Sequence, residues 1–264
     1  MSKKFYVTGG WKMNLGVLDS INYVKKMKEF IKSIHDLSRD LKIIFFPDFL
    51  SLYSILEVLK NSPVEVGSQD SFWEDKGAFT GEVSPLFLSE IGCKYVLLGH
   101  PERSINLKED KQMVNKKVKA ALRNNLIPFL IISEKKDPDK EKIFLQVRED
   151  ILSYLNGLAI DEISKIIIIY EPQWAINTTK AAPPDYIRER IISVRSLINK
   201  EYGSEIGNDL RISYGGGVNE NNFKNILDIK ELDGIGMGQA SLDFNFMKNI
   251  IKIANDKKKR EFSI

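Results

Sequence analysis

Eight short apolar runs recur along this chain of 264 residues, and segments with helical periodicity separate them. The runs are rich in β-branched residues, which favour strands, whereas the segments between them place apolar residues three or four positions apart, as amphipathic helices do. The predicted strands are residues 4–8, 43–46, 64–67, 95–98, 127–132, 166–170, 211–214 and 234–237. The predicted helices are residues 20–34, 50–59, 112–123, 142–155, 184–198 and 244–254. This alternation predicts an α/β fold with a parallel sheet.

The number of strand and helix units and the length of the chain decide between two parallel architectures. Eight units in 264 residues favour a closed (β/α)8 barrel over an open doubly wound sheet, although alternation by itself is compatible with both. No low-complexity linker or change of composition marks a boundary. We therefore expect one barrel domain over residues 1–264.

Composition excludes several classes of partner. Lys and Arg number 39 against 36 Asp and Glu, an excess too small to indicate a nucleic-acid partner. Cys93 is the only cysteine, so neither an internal disulfide nor a cysteine metal cluster is expected. No long apolar stretch indicates a membrane span or a signal peptide, and we expect a cytoplasmic protein.

Polar residues follow several of the predicted strands. Glu171 ends the most apolar run, residues 165–170, and Lys12 and His100 follow the first and fourth strands. The loops after the strands of such a barrel share one face, so these residues would converge. Glycine-rich turns at 215–217 and 236–238 would let backbone N–H groups approach a phosphate, which suggests a phosphorylated substrate.

Each of these residues has an ordinary explanation when it is taken alone. Glu171 is compatible with a salt bridge at a strand end, His100 with a structural hydrogen bond and Lys12 with a solvent-exposed loop. For Glu102, the preferred interpretation on this basis is a structural ion pair with the adjacent Arg103.

Five blocks taken in order are far more specific. They are residues 11–14 (WKMN), 77–82 (GAFTGE), 96–103 (VLLGHPER), 170–176 (YEPQWAI) and 214–216 (YGG). In this order and spacing the chain resembles the triosephosphate isomerase family over essentially its whole length. The resemblance implies the TIM-barrel fold and the interconversion of dihydroxyacetone phosphate and glyceraldehyde 3-phosphate through an enediolate.

The resemblance implies that Lys12, His100 and Glu171 are catalytic, with Glu102 supporting them. The family is a standard example of pKa tuning in an active site, so these roles are carried over from it. The chemistry suits the residue types. One carboxylate can move a proton between adjacent carbons, while an imidazole and an ammonium stabilise the charge on the oxygens. No metal or organic cofactor is expected, because acid and base groups are sufficient.

The resemblance also implies a mobile lid over residues 172–182, with its hinges at 172–174 and 180–182. The lid residues are Pro172, Trp174, Thr178, Thr179 and Lys180. The residues expected to contact the substrate or its phosphate are Asn177, Gly216, Gly217, Gly238 and Gln239. Closure would exclude water from an intermediate that can otherwise lose its phosphate.

The chain departs from the family pattern on the same face. Asn177 and Thr179 replace two glycines of the lid tip, which should stiffen it and restrict positive φ, above all at Thr179. Gly217 replaces a serine and Gln239 replaces a glycine beside the expected phosphate. Gly10 and Pro101 replace an asparagine and a serine, which are found at these positions in the family.

A second copy of the chain is the expected partner. In the family, the long loop after the third strand inserts into the neighbouring subunit, which implies that Thr80, Glu82 and Arg103 contribute to a homodimer interface. This loop also carries Phe72, Trp73 and Phe79, which would otherwise expose three aromatic rings.

Three functions are compatible with these features. The first is isomerisation of the triose phosphates, supported by the retained Lys12, His100 and Glu171. The second is isomerisation of a four-carbon ketose phosphate such as erythrulose phosphate, which the departures on the active-site face would allow. The third and least favoured is a non-catalytic protein that binds a sugar phosphate.

Overall fold

A computed structural model describes residues 4–135 and 139–261 and contains a closed barrel of eight parallel strands. The strands are β1 (Phe5–Gly10), β2 (Leu41–Phe46), β3 (Val64–Ser68), β4 (Tyr95–Leu98), β5 (Ile127–Ile132), β6 (Ile167–Tyr170), β7 (Arg211–Tyr214) and β8 (Gly234–Met237). They follow one another around the barrel in chain order, and β8 closes it by pairing with β1, with Tyr6 opposite Gly234. The predicted α/β barrel is confirmed.

The apolar character of the strands follows from burial on both faces. In β2, Ile44 and Phe46 point into the barrel, where they join Phe129 and Ile169 in the inner core. Their neighbours, such as Phe45, point outward and pack against the surrounding helices. A strand covered on both sides has no polar face, so its sequence is a continuous apolar run instead of an alternating one.

The helices cover the outside of the barrel. They are α1 (Val17–Lys32), α2 (Phe49–Leu59), α3 (Pro85–Glu90), α4 (Pro101–Leu107), α5 (Lys111–Arg123), α6 (Lys140–Leu155), α7 (Ile160–Ile163), α8 (Pro184–Tyr202), α9 (Ser204–Asp209), α10 (Phe223–Leu227) and α11 (Phe244–Glu261). Short 3₁₀ helices lie at Gln173–Ala175 and Gln239–Leu242. No helix among residues 4–135 and 139–261 is both long and apolar enough to cross a membrane.

The predicted bounds differ from the observed ones mainly where elements are short. β4, β5, β7 and β8 have the predicted bounds, whereas β1 extends to Gly10. The prediction missed α3, α4, α7, α9 and α10, which have seven residues or fewer and show no sustained helical period. Residues 1–3, 136–138 and 262–264 of the predicted domain lie outside the described residues, and one domain over 1–264 stays a prediction.

Candidate active site

The imidazole of His100 is fixed by the start of α4. His100 is the N-cap of this helix, and its Nδ1 accepts the backbone N–H of Glu102 at 3.1 Å. Because Nδ1 is the acceptor, the proton of the neutral ring belongs on Nε2, which lies 3.8 Å from Oε2 of Glu171. Burial lowers the pKa of His100 to about 4 against the opposing charge of Glu102, so the ring is neutral near pH 7.

Glu171 is held at the end of β6 by its own backbone. Its N–H donates to the carbonyl of Ile132 at 2.9 Å, and the N–H of Gly215 donates to the carbonyl of Tyr170 at 3.0 Å. Burial raises the pKa of Glu171 from 4.5 to about 7; the nearby Lys12 opposes this shift. A carboxyl group with this pKa can both accept and return a proton near neutral pH.

Lys12 lies in a strained loop after β1. Its φ is 51°, in the left-handed region that few residues other than glycine adopt. The side-chain amide of Gln69 donates to the carbonyls of Lys12 and Phe46, at 2.9 Å each, and ties this loop to the barrel. Sequence reasoning missed Gln69, whose position directly after β3 was the available signal.

The predicted ion pair between Glu102 and Arg103 is wrong. Oε1 of Glu102 lies 2.6 Å from Nζ of Lys12, across the cavity. Burial alone would raise the pKa of Glu102, but the hydrogen bond from Lys12 and the nearby His100 lower it overall. Adjacent residues at the start of a helix point in different directions, and the two charges therefore find separate partners.

Arg103 instead belongs to a buried charge cluster beside the cavity. Its Nη2 lies 2.8 Å from Oδ2 of Asp70, and its Nε lies 2.7 Å from Oε2 of Glu109. Lys117 bonds to the same two carboxylates. Burial raises the pKa of Asp70 to about 6, although both cations oppose the shift. The cluster joins the segment that follows β3, through Asp70, to α4 and α5.

Two adjoining cavities bring the predicted residues together. The first has a volume of about 370 Å³ and is lined by Lys12, His100, Glu102 and Glu171. The second has a volume of about 290 Å³ and shares Lys12 and Glu171 with the first. The five predicted phosphate contacts, Asn177, Gly216, Gly217, Gly238 and Gln239, all line the second cavity. The catalytic and phosphate-binding candidates therefore converge on one face of the barrel.

Gly217 is required by a close approach of the lid. It has a φ of 65°, and a Cβ placed there would lie 2.5 Å from the carbonyl oxygen of Lys180. The serine of the family would collide with the lid in this position. Asn219, which sequence reasoning did not identify, bridges the same two segments, because its Nδ2 donates to the carbonyls of Thr179 and Gly217 at 2.7 and 2.9 Å.

The tip of the predicted lid contacts two of the candidate catalytic residues. The Asn177 side chain contacts both Lys12 and Glu102, at 3.2 Å each. The positive φ of the lid tip is at Asn177, at 56°, while Thr179 is not among the residues of positive φ. The Thr178 hydroxyl lies 3.0 Å from the carbonyls of Ala175 and Lys180, which makes the tip a compact turn.

A buried carboxylate, Glu134, anchors the first hinge and was not predicted. The indole of Trp174 donates to its Oε1 at 3.1 Å, and the hydroxyls of Tyr170 and Tyr186 also donate to it. Its position two residues after the end of β5 was the only signal in the sequence. At the second hinge, the backbone N–H of Ala182 donates to the Tyr214 hydroxyl at 3.0 Å.

The other two departures have different explanations. Pro101 is the first residue of α4, where a missing N–H leaves no hydrogen bond unmade. Gly10 ends β1 and lines the first cavity, and a Cβ there would meet only the carbonyl of Met237, at 3.9 Å. Packing therefore explains Gly217 but does not require Gly10.

The loop between β3 and α3 is only partly what the sequence suggested. Phe72 is buried and stacks on the partly buried Trp73 at 4.0 Å, so only Phe79 of the three aromatic residues is exposed. The loop packs on itself, so the chain alone covers Phe72 and much of Trp73, two of the three rings that a second copy was expected to cover. Thr80 and Glu82 are exposed near its tip.

The arrangement suits proton transfer beside a carbonyl. The first cavity is lined by the carboxylate of Glu171, the neutral imidazole of His100 and the ammonium of Lys12. The second, glycine-rich cavity adjoins it. The base can move a proton while the two donors stabilise the negative charge that develops on oxygen.

Comparisons with known proteins agree with this geometry. Residues 5–254 match the family described as triosephosphate isomerase. The chain is 36% identical over 237 residues to a triosephosphate isomerase of Dictyoglomus turgidum, covering 89% of this chain and 94% of that protein. It is 38% identical to one of Thermoanaerobacter pseudethanolicus with the same coverage. It is 35% identical to one of Clostridium tetani, over 94% of this chain and 96% of the other.

Proposed function

The chain belongs to the triosephosphate isomerase family, and from this we infer that it interconverts dihydroxyacetone phosphate and glyceraldehyde 3-phosphate, a step of glycolysis. The structural observation that supports this inference is the 3.8 Å separation of His100 Nε2 and Glu171 Oε2 in a cavity that Lys12 also lines.

The three residues take distinct roles in this reaction. Glu171 removes a proton from one carbon and returns it to the neighbouring carbon, which requires a base whose pKa lies near the working pH. The Nε2–H of His100 donates to the oxygens on which the enediolate charge develops, because its ring is neutral. Lys12 stabilises the same charge and the phosphate electrostatically. Acid and base side chains are sufficient for every step.

The second cavity binds the phosphate group in this proposal. Gly216 and Gly238 allow close approach to the backbone, and Gln239 adds a polar side chain. Closure of the lid, residues 172–182, surrounds the intermediate and excludes water, which strengthens the electrostatic interactions inside.

No specific observation favours the four-carbon substrate. The relatives found are named triosephosphate isomerases, and the residues of the proton shuttle are all present in one cavity. The same constellation argues against a protein that only binds a sugar phosphate, since binding alone does not need a base with a pKa near 7.

A homodimer is the proposed assembly. Met13, Phe49 and Leu107 are all exposed and line the first cavity, so an apolar rim surrounds its mouth. Exposed apolar residues grouped around a cavity are typical of an interface. The loop carrying Thr80 and Glu82 of a second copy is the proposed occupant. A monomeric mass in sedimentation at working concentration would contradict this proposal.

A cytoplasmic location follows from the glycolytic role and stays a prediction.

Steady-state kinetics test the activity. Purified protein is assayed with glyceraldehyde 3-phosphate and, in parallel, with D- and L-erythrulose phosphates. We expect a clear preference for the triose and a loss of about 10²- to 10⁴-fold in kcat for Glu171→Gln, because a positioned base contributes that much. Glu149→Gln, on the exposed side of α6, is the matched control. Near-normal turnover by Glu171→Gln would overturn the proposal.

A further inference from the structure

The first helix is hydrogen-bonded to the turn that follows the last strand. The side chain of Tyr23, on α1, is buried, and its hydroxyl donates to the backbone carbonyl of Ser241 at 2.7 Å. Burial raises the pKa of Tyr23, so the hydroxyl keeps its proton near neutral pH and acts as a donor. Ser241 directly follows Gln239 and Ala240, which line the second cavity.

Ser241 closes the turn of residues 238–241. Its N–H and its hydroxyl both donate to the carbonyl of Gly238, at 2.9 and 2.6 Å. Its side chain is completely buried and packs on β1, where a Cβ added to Gly9 would lie 3.0 Å from the Cβ of Ser241. The turn is therefore held together through Ser241, and the hydroxyl of Tyr23 joins it to α1.

Aromatic packing fixes the direction of the Tyr23 hydroxyl. The ring of Tyr23 makes edge contacts with three other rings, those of Trp11 at 5.0 Å and of Phe45 and Phe244 at 5.6 Å between centroids. Such contacts favour defined ring orientations. The ring thus has little freedom, and the hydroxyl at its end has a fixed position under the turn.

We propose that Tyr23 is a positioning residue for phosphate binding, because its hydroxyl holds the backbone of Gly238 and the side chain of Gln239 in place at the second cavity. Tyr23 is not among the described residues that line either cavity, so its effect on a ligand is transmitted through Ser241. The identity of the ligand as a sugar phosphate rests on the proposed isomerase function.

The substitution Tyr23→Phe isolates the hydroxyl. The ring and its packing remain, whereas the carbonyl of Ser241 loses this donor and the turn shifts toward another one. A small displacement of groups that bind a ligand weakens several contacts at once. The phosphate is bound in the substrate and in the transition state alike, so its weaker binding should raise KM and leave kcat nearly unchanged.

Steady-state kinetics of Tyr23→Phe measure this effect. We expect KM for glyceraldehyde 3-phosphate and the inhibition constant of inorganic phosphate each to rise about five- to tenfold, with kcat within about twofold of the original. Unphosphorylated glyceraldehyde has no phosphate to bind, so its kcat/KM, measured at high protein concentration, should not change. General damage to the structure would instead impair both substrates.

Tyr95→Phe is the matched control. It also removes a hydroxyl from a buried tyrosine, in this case one that donates to Glu65 at 2.6 Å. Tyr95 is the first residue of β4, and both cavities lie at the opposite, carboxyl ends of the strands. This variant should therefore leave KM and the inhibition constant of phosphate unchanged.

Hydrogen exchange provides a measurement that needs neither substrate nor turnover. The N–H groups of Ser241 and Asp243 donate within the turn and just after it, at 2.9 and 3.2 Å. Both should exchange about tenfold faster in Tyr23→Phe, because the turn opens more readily without its bond to α1. In Tyr95→Phe their exchange should equal that of the original protein.

Unchanged exchange in Tyr23→Phe would overturn the proposal, and so would an equal loss of kcat/KM for glyceraldehyde and its phosphate. If the original protein isomerises neither substrate, the isomerase function fails, and calorimetric titration with inorganic phosphate then decides the role of Tyr23. Weaker phosphate binding by Tyr23→Phe than by Tyr95→Phe would support that role, and equal binding would overturn it.

Discussion

His100 and Glu171 face each other at 3.8 Å between Nε2 and Oε2, and burial shifts their pKa values in opposite directions. Removal from water disfavours the charged form of each group, which lowers the pKa of an imidazole and raises that of a carboxyl. The same environment therefore keeps His100 a neutral donor and makes Glu171 a base whose protonation changes near neutral pH.

The activity should follow the titration of Glu171. The carboxylate is the active form and exists above its pKa of about 7, so kcat/KM should rise as the pH increases from 5 to 8, with a midpoint near 7. His100, with a pKa of about 4, should add no second transition in this range. A profile of kcat/KM against pH checks both statements, and a midpoint below 5 would contradict the assignment of Glu171.

The same shift predicts that Glu171 destabilises the fold at higher pH. Its folded pKa of about 7 exceeds its ordinary value of 4.5, so the favourable contribution is present below pH 4.5 and is lost as the pH rises through 7. The side chain in Glu171→Gln does not titrate. The free energy of unfolding of this variant, relative to that of the original protein, should therefore increase by on the order of 2 kcal/mol between pH 5 and pH 8.

Urea denaturation at the two pH values measures this difference in the free energy of unfolding. Glu149→Gln, at an exposed position on α6, is the control and should change the free energy of unfolding by less than about 0.5 kcal/mol. An equal change at both pH values for Glu171→Gln would show that the carboxyl group is not buried in its protonated form.

The convergence of Lys12, His100 and Glu171 on one cavity was predictable because these residues follow strongly apolar strands. Periodicity identified the strands, the barrel brings their ends to one face, and the blocks around Lys12, His100 and Glu171 supplied the roles. The partner of Glu102 was mispredicted, since neighbours in sequence are not neighbours around the start of a helix. Side-chain direction decided that Lys12, not Arg103, is the partner.

Other features depend on contacts that leave no local signal. Glu134 is one buried acid that accepts from three aromatic residues on β6, the lid and α8, so no single segment reveals its role. Gly217 looked like the loss of a hydroxyl, whereas the structure shows that Lys180 occupies the space that a side chain would need. Such relationships are long-range and become visible only in three dimensions.

Glu134 should be required to anchor the lid hinge. Glu134→Gln replaces one acceptor oxygen by a donor that faces the hydroxyls of Tyr170 and Tyr186 and the indole of Trp174. We expect a loss of about 2 kcal/mol in the free energy of unfolding, because at least one buried donor loses its partner. Urea denaturation measures it, and a loss below about 0.5 kcal/mol, as expected for exposed Glu149→Gln, would contradict the anchoring role.

Lys117 should be essential to the stability of the charge cluster beside the first cavity. Lys117→Met leaves Asp70 and Glu109 buried with only Arg103 to neutralise them, which should destabilise the protein by about 3 to 5 kcal/mol. The additional change Asp70→Asn should recover part of this loss. Lys116→Met, an exposed neighbour on α5, is the control and should change stability by less than about 1 kcal/mol.

Gln239→Gly and Gly217→Ser, both in the second cavity, should change the affinity for phosphate in opposite directions. Gln239→Gly removes a side chain from the second cavity, and we expect the inhibition constant of inorganic phosphate to fall about two- to fivefold. Gly217→Ser should raise it, because the new Cβ would lie 2.5 Å from the Lys180 carbonyl at a φ of 65° and would displace the lid. Competitive inhibition of the isomerase by phosphate measures both constants. If Gln239→Gly weakens phosphate binding instead, the side-chain amide of Gln239 itself binds the phosphate in the second cavity.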